Sequence, residues 1–229
     1  MYIKWFPRSW IQIRTDDYTL CFDPSFLITN YKKVQYVKLS EQEDDYLPIG
    51  VNECDFIFIT HMHRDHYKIE TINRIVKTET VIFSVNEILE KYNERTVIVN
   101  AGDILTYPGM SIEVVNAYNT EDGASTKKVH IKGKSVGYIL SIDNKRIYVS
   151  GDTDLIPEMR NIENIDVAFL PIGGTFTMDT QEVIECLQLI KPKYFVPVHH
   201  LRANPELLIN LMPKNVNCII PKINEEILI

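Results

Sequence analysis

An apolar run that leads directly into a cluster of histidines is the feature that most constrains this chain. The run CDFIFIT, which begins at Cys54, is followed at once by HMHRDH, and this segment holds three of the six histidines of the sequence. A continuous apolar run of this length is typical of a strand buried on both faces. Side chains two positions apart on a strand point the same way, so His61 and His63 should face one side together. Asp65 and His66 follow on the turn, where side chains can fold back.

These side chains are of the types that bind metal ions. Imidazole and carboxylate groups suit zinc, and also iron or manganese. The spacing predicts that His61 and His63 hold one ion and that Asp65 and His66 hold a second. The alternative is a polar loop with incidental surface histidines, and the density of ligands behind one apolar strand disfavours it.

Two other predicted strands also end in metal-competent side chains. The segment IYVSGDTD places Asp152 just past a strand end, and FVPVHH places His199 and His200 after another. Taken singly, Asp152 could form an ordinary Asx turn, and a strand-end histidine is more often structural. Taken together, three separated strands end in such residues, and α/β proteins build their sites at strand ends. The sequence therefore predicts that two carboxylates and at least four histidines meet at one edge, which is enough for two metals.

The bulk composition is that of an ordinary globular protein. A chain of 229 residues can bury a full-sized core, and no linker or repeat divides it, so one domain over residues 1–229 is expected. The net charge of -7 disfavours nucleic acid and anionic membranes as partners. No apolar stretch approaches the roughly 20 residues of a membrane span, and the first residues do not read as a signal peptide. These features predict a soluble cytoplasmic protein.

The cysteine pattern points to the same compartment. The four cysteines lie far apart and include no Cys-x-x-Cys pair. Three of them sit in apolar runs, where a small core residue is the expected role. A disulfide framework is therefore not expected, as suits a reducing cytosol.

The order of the elements predicts a mixed α/β fold. Strands are predicted at YIKWF, WIQIRT, YTLCFD, CDFIFIT, TVIFS, TVIVN, SIEVVNA, SVGYILSI, RIYVS, IDVAFLP and YFVPV, with a hairpin turn at 143–145. Helices are predicted over 69–77, over 85–93 behind a Ser84/Glu87 capping box, from Asp179 to Ile190, and after Asn204. The acidic stretch at 41–48 is predicted to be a solvated loop. This pattern suits two sheets with helices outside better than one alternating parallel sheet.

These motifs, in this order, resemble the metallo-β-lactamase superfamily of metal-dependent hydrolases. THMHRDH is similar to its signature motif, SGDTD to the motif with a bridging aspartate, PVHH to that with the last histidine, and FDPS to an early Asp-Pro turn. LPIGGTFTM narrows the resemblance to small stand-alone members, the L-ascorbate-6-phosphate-lactonase-like group. The resemblance extends from Trp5 to His200.

The resemblance implies a four-layer αββα sandwich, with two mixed β-sheets back to back, helices outside and the site at one sheet edge. It implies that His61 and His63 bind the first metal, that Asp65, His66 and His199 bind the second, and that Asp152 bridges the two. Gly173 and Gly174 would shape the loop beside the site.

Two positions depart from the family pattern. Asn119 stands where another histidine for the first metal is usual, and an amide oxygen is a weaker zinc ligand than imidazole. Either the first site is loosened or His130, eleven residues on, replaces the missing ligand; an ordinary loop histidine is the other interpretation of His130. Pro7-Arg8 stands where relatives often carry Gly-His. Arg8 could contact an anionic substrate or be a solvated surface arginine.

The activity expected from the resemblance is metal-dependent hydrolysis. Two divalent ions, zinc first and manganese or iron(II) as alternatives, would supply hydroxide that cleaves a lactone, an ester or a small phosphodiester. Asp65 would orient the nucleophile or pass on a proton, and His200 would donate a hydrogen bond to the substrate or support a ligand. The partner would then be a small molecule, including an anionic one.

Three other functions stay open at this point. A nuclease is disfavoured by the net charge and by the lack of room for a large inserted domain. A metal-binding module with little activity would follow if nothing replaces the histidine missing at Asn119. An oxygen-using iron protein is disfavoured because no flavodoxin-like domain is present. The oligomeric state, a homo-oligomer included, is also open.

Overall fold

The chain forms two compact units in its structure, a computed structural model that describes residues 1–27, 35–38, 46–86, 88, 90–223 and 225–229. The first unit consists of Met1–Val99 and Pro221–Ile229, and the second of Asn100–Ile220. Each unit contains one seven-stranded mixed sheet. The single domain expected from the sequence stays a prediction.

The elements of the described residues follow in chain order. Before Asn100 they are β1 (Tyr2–Phe6), β2 (Trp10–Arg14), β3 (Thr19–Phe22), β4 (Tyr36–Lys38), β5 (Tyr46–Pro48), β6 (Cys54–Phe58), α1 (Ile69–Ile75), β7 (Val76–Ser84), a 3-10 helix (Glu90–Arg95) and β8 (Thr96–Ile98). After it come β9 (Ile104–Tyr107), β10 (Met110–Asn116), β11 (Val136–Ile142), β12 (Lys145–Val149), a 3-10 helix (Pro157–Asn161), β13 (Val167–Pro171), α2 (Thr180–Ile190), β14 (Tyr194–Val198), a 3-10 helix (Pro205–Leu211), β15 (Asn217–Cys218) and β16 (Ile227–Leu228). Among these residues, no helix is long and apolar enough to cross a membrane.

The sheet of the first unit has the order β16-β1-β2-β3-β6-β7-β8, so β3 is its middle strand. The strands β3, β6, β7 and β8 are parallel, whereas the others are antiparallel. Phe56, Ile57 and Phe58 of β6 are all buried, which confirms the prediction of a strand covered on both faces. Helix α1 adds Ile72 and Ile75 to the core of this unit.

The sheet of the second unit has the order β15-β14-β13-β12-β11-β10-β9, with β12 in the middle. The strands from β12 to β15 are parallel, and β9 to β12 are antiparallel. Helix α2 packs Val183 and Leu187 into the core of this unit, together with Leu170 and Phe195. The predicted cap is confirmed, because the Asp179 carboxylate accepts the backbone N–H groups of Gln181 and Glu182 in the first turn of α2.

Several predicted elements differ from those of the structure. The predicted helix at 85–93 is wrong: a 3-10 helix begins only at Glu90, and Glu87 of the proposed capping box lies outside the described residues. A segment this short gains little from helix propensity alone, and the structure instead anchors it through the buried Tyr92, whose hydroxyl donates to Asn73. The helix after Asn204 is also of the 3-10 type.

The stretch predicted to be a solvated loop is partly a strand. Residues 46–48 form β5, which pairs with β4, because their backbone groups bond to those of Tyr36–Lys38. The remaining residues, 41–45, lie outside the described part of the chain. The strands β4, β9, β15 and β16 were not predicted.

The expectation of no disulfide is wrong, because the structure contains one. It joins Cys21 of β3 to Cys54 of β6, and both side chains are fully buried. These strands are parallel neighbours, which places the two Cα atoms 6.2 Å apart. Cys186 and Cys218 are free thiols.

Candidate functional site

The first group of candidate ligands follows β6 and consists of His61, His63, Asp65 and His66. A tight turn folds this segment back, since the backbone N–H of His66 donates to the His63 carbonyl at 2.9 Å. The turn brings the rings of His61 and His63 to 4.7 Å and those of His61 and His66 to 4.0 Å, between centroids. His61 and His66 are buried, whereas His63 is exposed. Within the first unit, the structure thus brings together three of the predicted imidazole ligands.

The carboxylate of Asp23 holds two of these histidine rings. It lies just after β3 and accepts the His66 Nδ1–H at 2.7 Å. It also accepts the backbone N–H and the hydroxyl of Thr60, at 2.8 and 2.7 Å. Because the Thr60 hydroxyl gives its proton to Asp23, its oxygen must accept the Nδ1–H of His61, which lies 2.9 Å away. Both rings therefore carry their proton on Nδ1, and Nε2 is the nitrogen that would bind a metal.

Asp65 of the same group is paired with an arginine. The Arg8 Nη1 lies 2.8 Å from the Asp65 Oδ2, and both side chains are partly exposed. The side chain of Arg8 is therefore not simply solvated, which was one of the two alternatives drawn from the sequence. It orients one carboxylate oxygen of a predicted ligand.

The second group of candidate ligands consists of His130, Asp152 and His199 and lies in the second unit. Asp152 follows β12 and His199 follows β14, so two strands of one parallel set deliver them. The Asp152 Oδ2 lies 3.5 Å from the His130 Nε2 and 3.4 Å from the His199 Nε2. All three side chains are buried. One carboxylate oxygen thus faces two imidazoles, which is the arrangement expected of a bridging ligand.

The backbone around His199 is unusual for a residue with a side chain. His199 has a φ of 47°, in the left-handed region that costs a non-glycine residue free energy. Gly173 packs closely against this backbone. A Cβ at position 173 would lie 2.8 Å from the His199 carbonyl oxygen. The close approach of position 173 to the His199 carbonyl thus requires a residue without a Cβ.

The question left open for the first metal concerns Asn119 and His130. His130 lies beside Asp152, as above, whereas the Asn119 Oδ1 accepts backbone N–H groups of Val129 and His130, at 3.0 and 2.9 Å. The structure therefore places the imidazole, and not the amide, against the carboxylate predicted to bridge the metals.

His200, predicted to contact the substrate, is half-buried at the end of β14. Its Nε2 donates to the Pro197 carbonyl at 2.7 Å, so a hydrogen bond from this nitrogen to a substrate would require breaking that bond. Burial lowers the pKa of His200 below its ordinary value; the Pro197 hydrogen bond raises it, and the neighbouring His199 lowers it further.

The chemistry of both ligand groups fits a divalent metal ion. Imidazole and carboxylate are the ligands of catalytic zinc, and manganese and iron also accept them. Three histidines donate from Nδ1 to an oxygen of their surroundings: His61, His66 and His130. Metal-bound histidines are held in this way, with the second ring nitrogen fixed by a hydrogen bond.

Two residues that orient these histidines, Asp23 and Thr60, were not among the predicted site residues. Asp23 lies in the FDPS segment, where the position after a strand end was a usable signal. Thr60 lies within the quoted motif THMHRDH, but nothing in the local pattern shows that its hydroxyl serves His61.

Comparisons with known proteins agree with this chemistry. The beta-lactamase superfamily domain matches residues 2–199 of the chain. A UPF0173 metal-dependent hydrolase of Nanoarchaeum equitans is 32% identical over 189 residues, which are 77% of this chain and 86% of that protein.

Two solved structures resemble the whole chain. A Parabacteroides distasonis protein classed as a metal-dependent hydrolase is 29% identical, with a TM-score of 0.77, and the match covers 96% of this chain and 92% of that one. Igni18, a metallo hydrolase of the archaeon Ignicoccus hospitalis, is 25% identical, with a TM-score of 0.73 and coverage of 99% and 97%. These matches confirm the predicted fold class.

Proposed function

Because the chain belongs to the β-lactamase superfamily and its relatives there are metal-dependent hydrolases, we propose that it hydrolyses a lactone, an ester or a small phosphodiester with two divalent metal ions. The family makes the protein a metal-dependent hydrolase. The substrate class, the identity of the metal, zinc first, and the number of ions are parts of the proposal.

The observation that carries the proposal is the carboxylate of Asp152. Its Oδ2 lies within 3.5 Å of two buried imidazoles, those of His130 and His199. A carboxylate oxygen and two imidazole nitrogens that converge in a buried place are ligands of the types that divalent metal ions prefer. This convergence supports the assignment of these side chains as metal ligands.

Three residues of the chain would each have a different role in hydrolysis. When bound, the metal ions lower the pKa of a water molecule from 15.7 to about 7 and neutralise charge that develops on the substrate. Asp65 would bind through one carboxylate oxygen and accept the proton of the attacking water, while Arg8 holds the other oxygen. His200 would contact the leaving group once its bond to Pro197 opens.

A small molecule is the partner that the charge of the chain favours. A net charge of -7 disfavours association with the phosphates of nucleic acid. A single anionic group could still be neutralised by bound metal, which keeps small phosphodiesters among the substrates. A cytoplasmic location stays a prediction.

The test combines metal counting with a substrate panel. The metal-free protein is titrated with Zn²⁺, Mn²⁺ or Fe²⁺, bound ions are counted by mass spectrometry, and hydrolysis is followed on lactones, aryl esters, bis-aryl phosphates and single-stranded nucleic acid. We expect two ions per chain and turnover of a small substrate. Asp152→Asn should lose at least one ion and the activity.

The matched control is Asp143→Asn, which makes the same chemical change in a surface hairpin. Asp143 has a φ of 51°, a conformation that asparagine also adopts readily. This variant should keep both ions and full activity. Two bound ions without any turnover would favour a metal-binding module, and preferred cleavage of nucleic acid would favour a nuclease.

A further inference from the structure

Asn119 stands where the family resemblance places a histidine ligand, yet its side chain is used for hydrogen bonds within the second unit. We infer that Asn119 is a positioning residue, which holds His130 in the orientation and tautomer that metal binding requires. The inference rests on the proposed metal-dependent function and deepens it, because it names how the site compensates for the missing histidine.

The oxygen of the Asn119 amide faces three N–H groups. It accepts the backbone N–H of Val129 at 3.0 Å and that of His130 at 2.9 Å, and the His130 Nδ1 lies 3.1 Å away. In addition, the Asn119 backbone N–H donates to the His130 carbonyl at 2.8 Å. Asn119 thus holds both the backbone and the ring of His130.

The nitrogen of the same amide faces two acceptors. It donates to the Phe176 carbonyl at 2.8 Å and to the Asp154 Oδ1 at 3.3 Å. A flipped amide would point its oxygen at these two oxygens and its NH₂ at three N–H groups. The surroundings therefore fix which way the amide points.

The neighbours of His130 determine its tautomer. Its Nδ1 lies 3.1 Å from the Asn119 Oδ1 and 3.0 Å from the Phe176 carbonyl oxygen, and both of these atoms can only accept. The neutral ring must therefore carry its proton on Nδ1. The Nε2 then has its lone pair on the side of Asp152, whose Oδ2 lies 3.5 Å away.

Asp154 extends this arrangement to the whole segment between Asn119 and His130. It is fully buried, and its carboxylate accepts the backbone N–H of Thr120 at 2.9 Å and the hydroxyl of Ser125 at 2.8 Å. A side chain in place of Gly123 would collide with that carboxylate. The segment that carries His130 is thus tied to the SGDTD motif, and Asn119 is the link between Asp154 and the histidine.

A double-mutant cycle tests whether Asn119 acts through His130. Zinc affinity is measured by competition with a chromophoric chelator for Asn119→Ala, His130→Ala and the double variant. We expect Asn119→Ala to lower the affinity for one of the two metal ions by about 10- to 100-fold, as for other residues that orient a metal ligand. The zinc affinity of the double variant should equal that of His130→Ala within about twofold, since the effect of Asn119 requires the histidine.

Two results of the cycle would overturn the inference. One is an unchanged affinity in Asn119→Ala. The other is an equal further loss when Asn119→Ala is added to His130→Ala, because Asn119 would then act independently. Asn161→Ala, the same change at an exposed asparagine of this unit, should leave affinity unchanged.

A second measurement does not depend on metal or on activity. Ring ¹⁵N shifts of the metal-free protein report the tautomer, and we expect Nδ1–H for His130, with a share of Nε2–H in Asn119→Ala. An Nε2–H tautomer in the natural chain, or unchanged shifts in the variant, would contradict the inference. If the natural chain binds no metal but shows the expected shifts, the proposed function fails while the positioning of His130 stands.

Discussion

Asp23 shows how one buried residue determines the chemistry of two others. Its carboxylate accepts the Nδ1–H of His66 and the hydroxyl of Thr60, and Thr60 in turn accepts the Nδ1–H of His61. The φ of Asp23 is 47°, so the chain accepts an unfavourable backbone conformation at this position. This carboxylate therefore leaves Nε2 as the nitrogen of each ring that would bind a metal.

Replacing Asp23 by alanine should therefore weaken metal binding. We expect the affinity for zinc to fall by about 10- to 100-fold, the range found for residues that orient a ligand. Chelator competition measures the loss. Asp16→Ala, the same change at an exposed aspartate of the first unit, should have no effect; equal losses in the two variants would rule out a specific role for Asp23.

Arg8 offers a second prediction at this scale. Its ion pair with Asp65 is partly exposed, and such pairs contribute about 0–1 kcal/mol to stability. Arg8→Gln should therefore leave the free energy of unfolding nearly unchanged. Its hydrolysis rate should fall about tenfold, because Asp65 loses the group that orients it for proton transfer. An unchanged rate on a substrate that the natural chain cleaves would show that the pair serves no catalytic purpose.

The candidate ligands after β6 could be proposed from the sequence, but the groups that hold their side chains could not. His61, His63, Asp65 and His66 are adjacent in the chain, so their local spacing reveals them. Asp23 meets His66 across 43 positions. No local pattern encodes such a contact, since it exists only after the strands have paired.

At the scale of single elements, α2 combines a predicted start with a buried face. The Asp179 side chain accepts the N–H groups of Gln181 and Glu182, both at 2.9 Å. Cys186 lies on the buried face of the helix. Strands and this helix were predictable because apolar periodicity and caps are local signals, whereas the 3-10 helix Glu90–Arg95 is anchored by the tertiary contact of Tyr92 with Asn73.

The cap of α2 provides a stability prediction. Asp179→Ala should lower the free energy of unfolding by about 1 kcal/mol, because two backbone N–H groups lose their acceptor. Urea unfolding followed by circular dichroism measures this change. Asp179→Ser, which keeps a capping oxygen, should recover most of the loss; if it does not, the capping bond is not the cause.

The thiol of Cys186 makes the stability of the folded protein decrease as the pH rises in the alkaline range. Burial, and to a lesser extent Glu182, raises the pKa of Cys186 to about 12, from 9.0. Between these values the unfolded chain loses the thiol proton and the folded chain keeps it, so stability falls as pH rises. From pH 8 to pH 10 this loss should amount to about 1–2 kcal/mol.

The measurement compares urea unfolding of the natural chain and Cys186→Ala at both pH values. On the change from pH 8 to pH 10, the free energy of unfolding should fall by about 1–2 kcal/mol less in the variant than in the natural chain. Equal losses in the two proteins would show that the folded state ionises this thiol as readily as the unfolded state. Cys218→Ala should also reduce the loss, because the pKa of the partly exposed Cys218 is raised to about 11, which is above pH 10 as well.

At the scale of the whole molecule, the family resemblance correctly predicted two mixed sheets and metal-dependent hydrolysis. It did not predict that the last strand, β16, returns to pair with β1, with Tyr2 opposite Leu228. A two-residue strand carries too little apolar periodicity to be recognised in a sequence. Pairing of this kind is decided by the free edge of a sheet and not by the segment itself.

Metal binding should stabilise the folded molecule as a whole. A metal that binds only the folded state adds about 2.7 kcal/mol when its free concentration is 100 times its dissociation constant. We therefore expect zinc to raise the unfolding midpoint of the natural chain and of Asp143→Asn, but much less that of Asp152→Asn. Differential scanning fluorimetry with and without a chelator measures this. A rise of the same size in all three would place the bound metal away from Asp152.

The position of two strands within their sheets has a consequence for the local opening of the backbone. Asp23 follows β3 and Asp152 follows β12, and each of these is the middle strand of its seven-stranded sheet. Amide hydrogens on central strands exchange with deuterium only when most of a sheet opens, whereas edge strands exchange through local fraying. The backbone leading to both carboxylates should thus be among the slowest to exchange, so edge fluctuations of β8, β9, β15 or β16 would leave these two carboxylates in place.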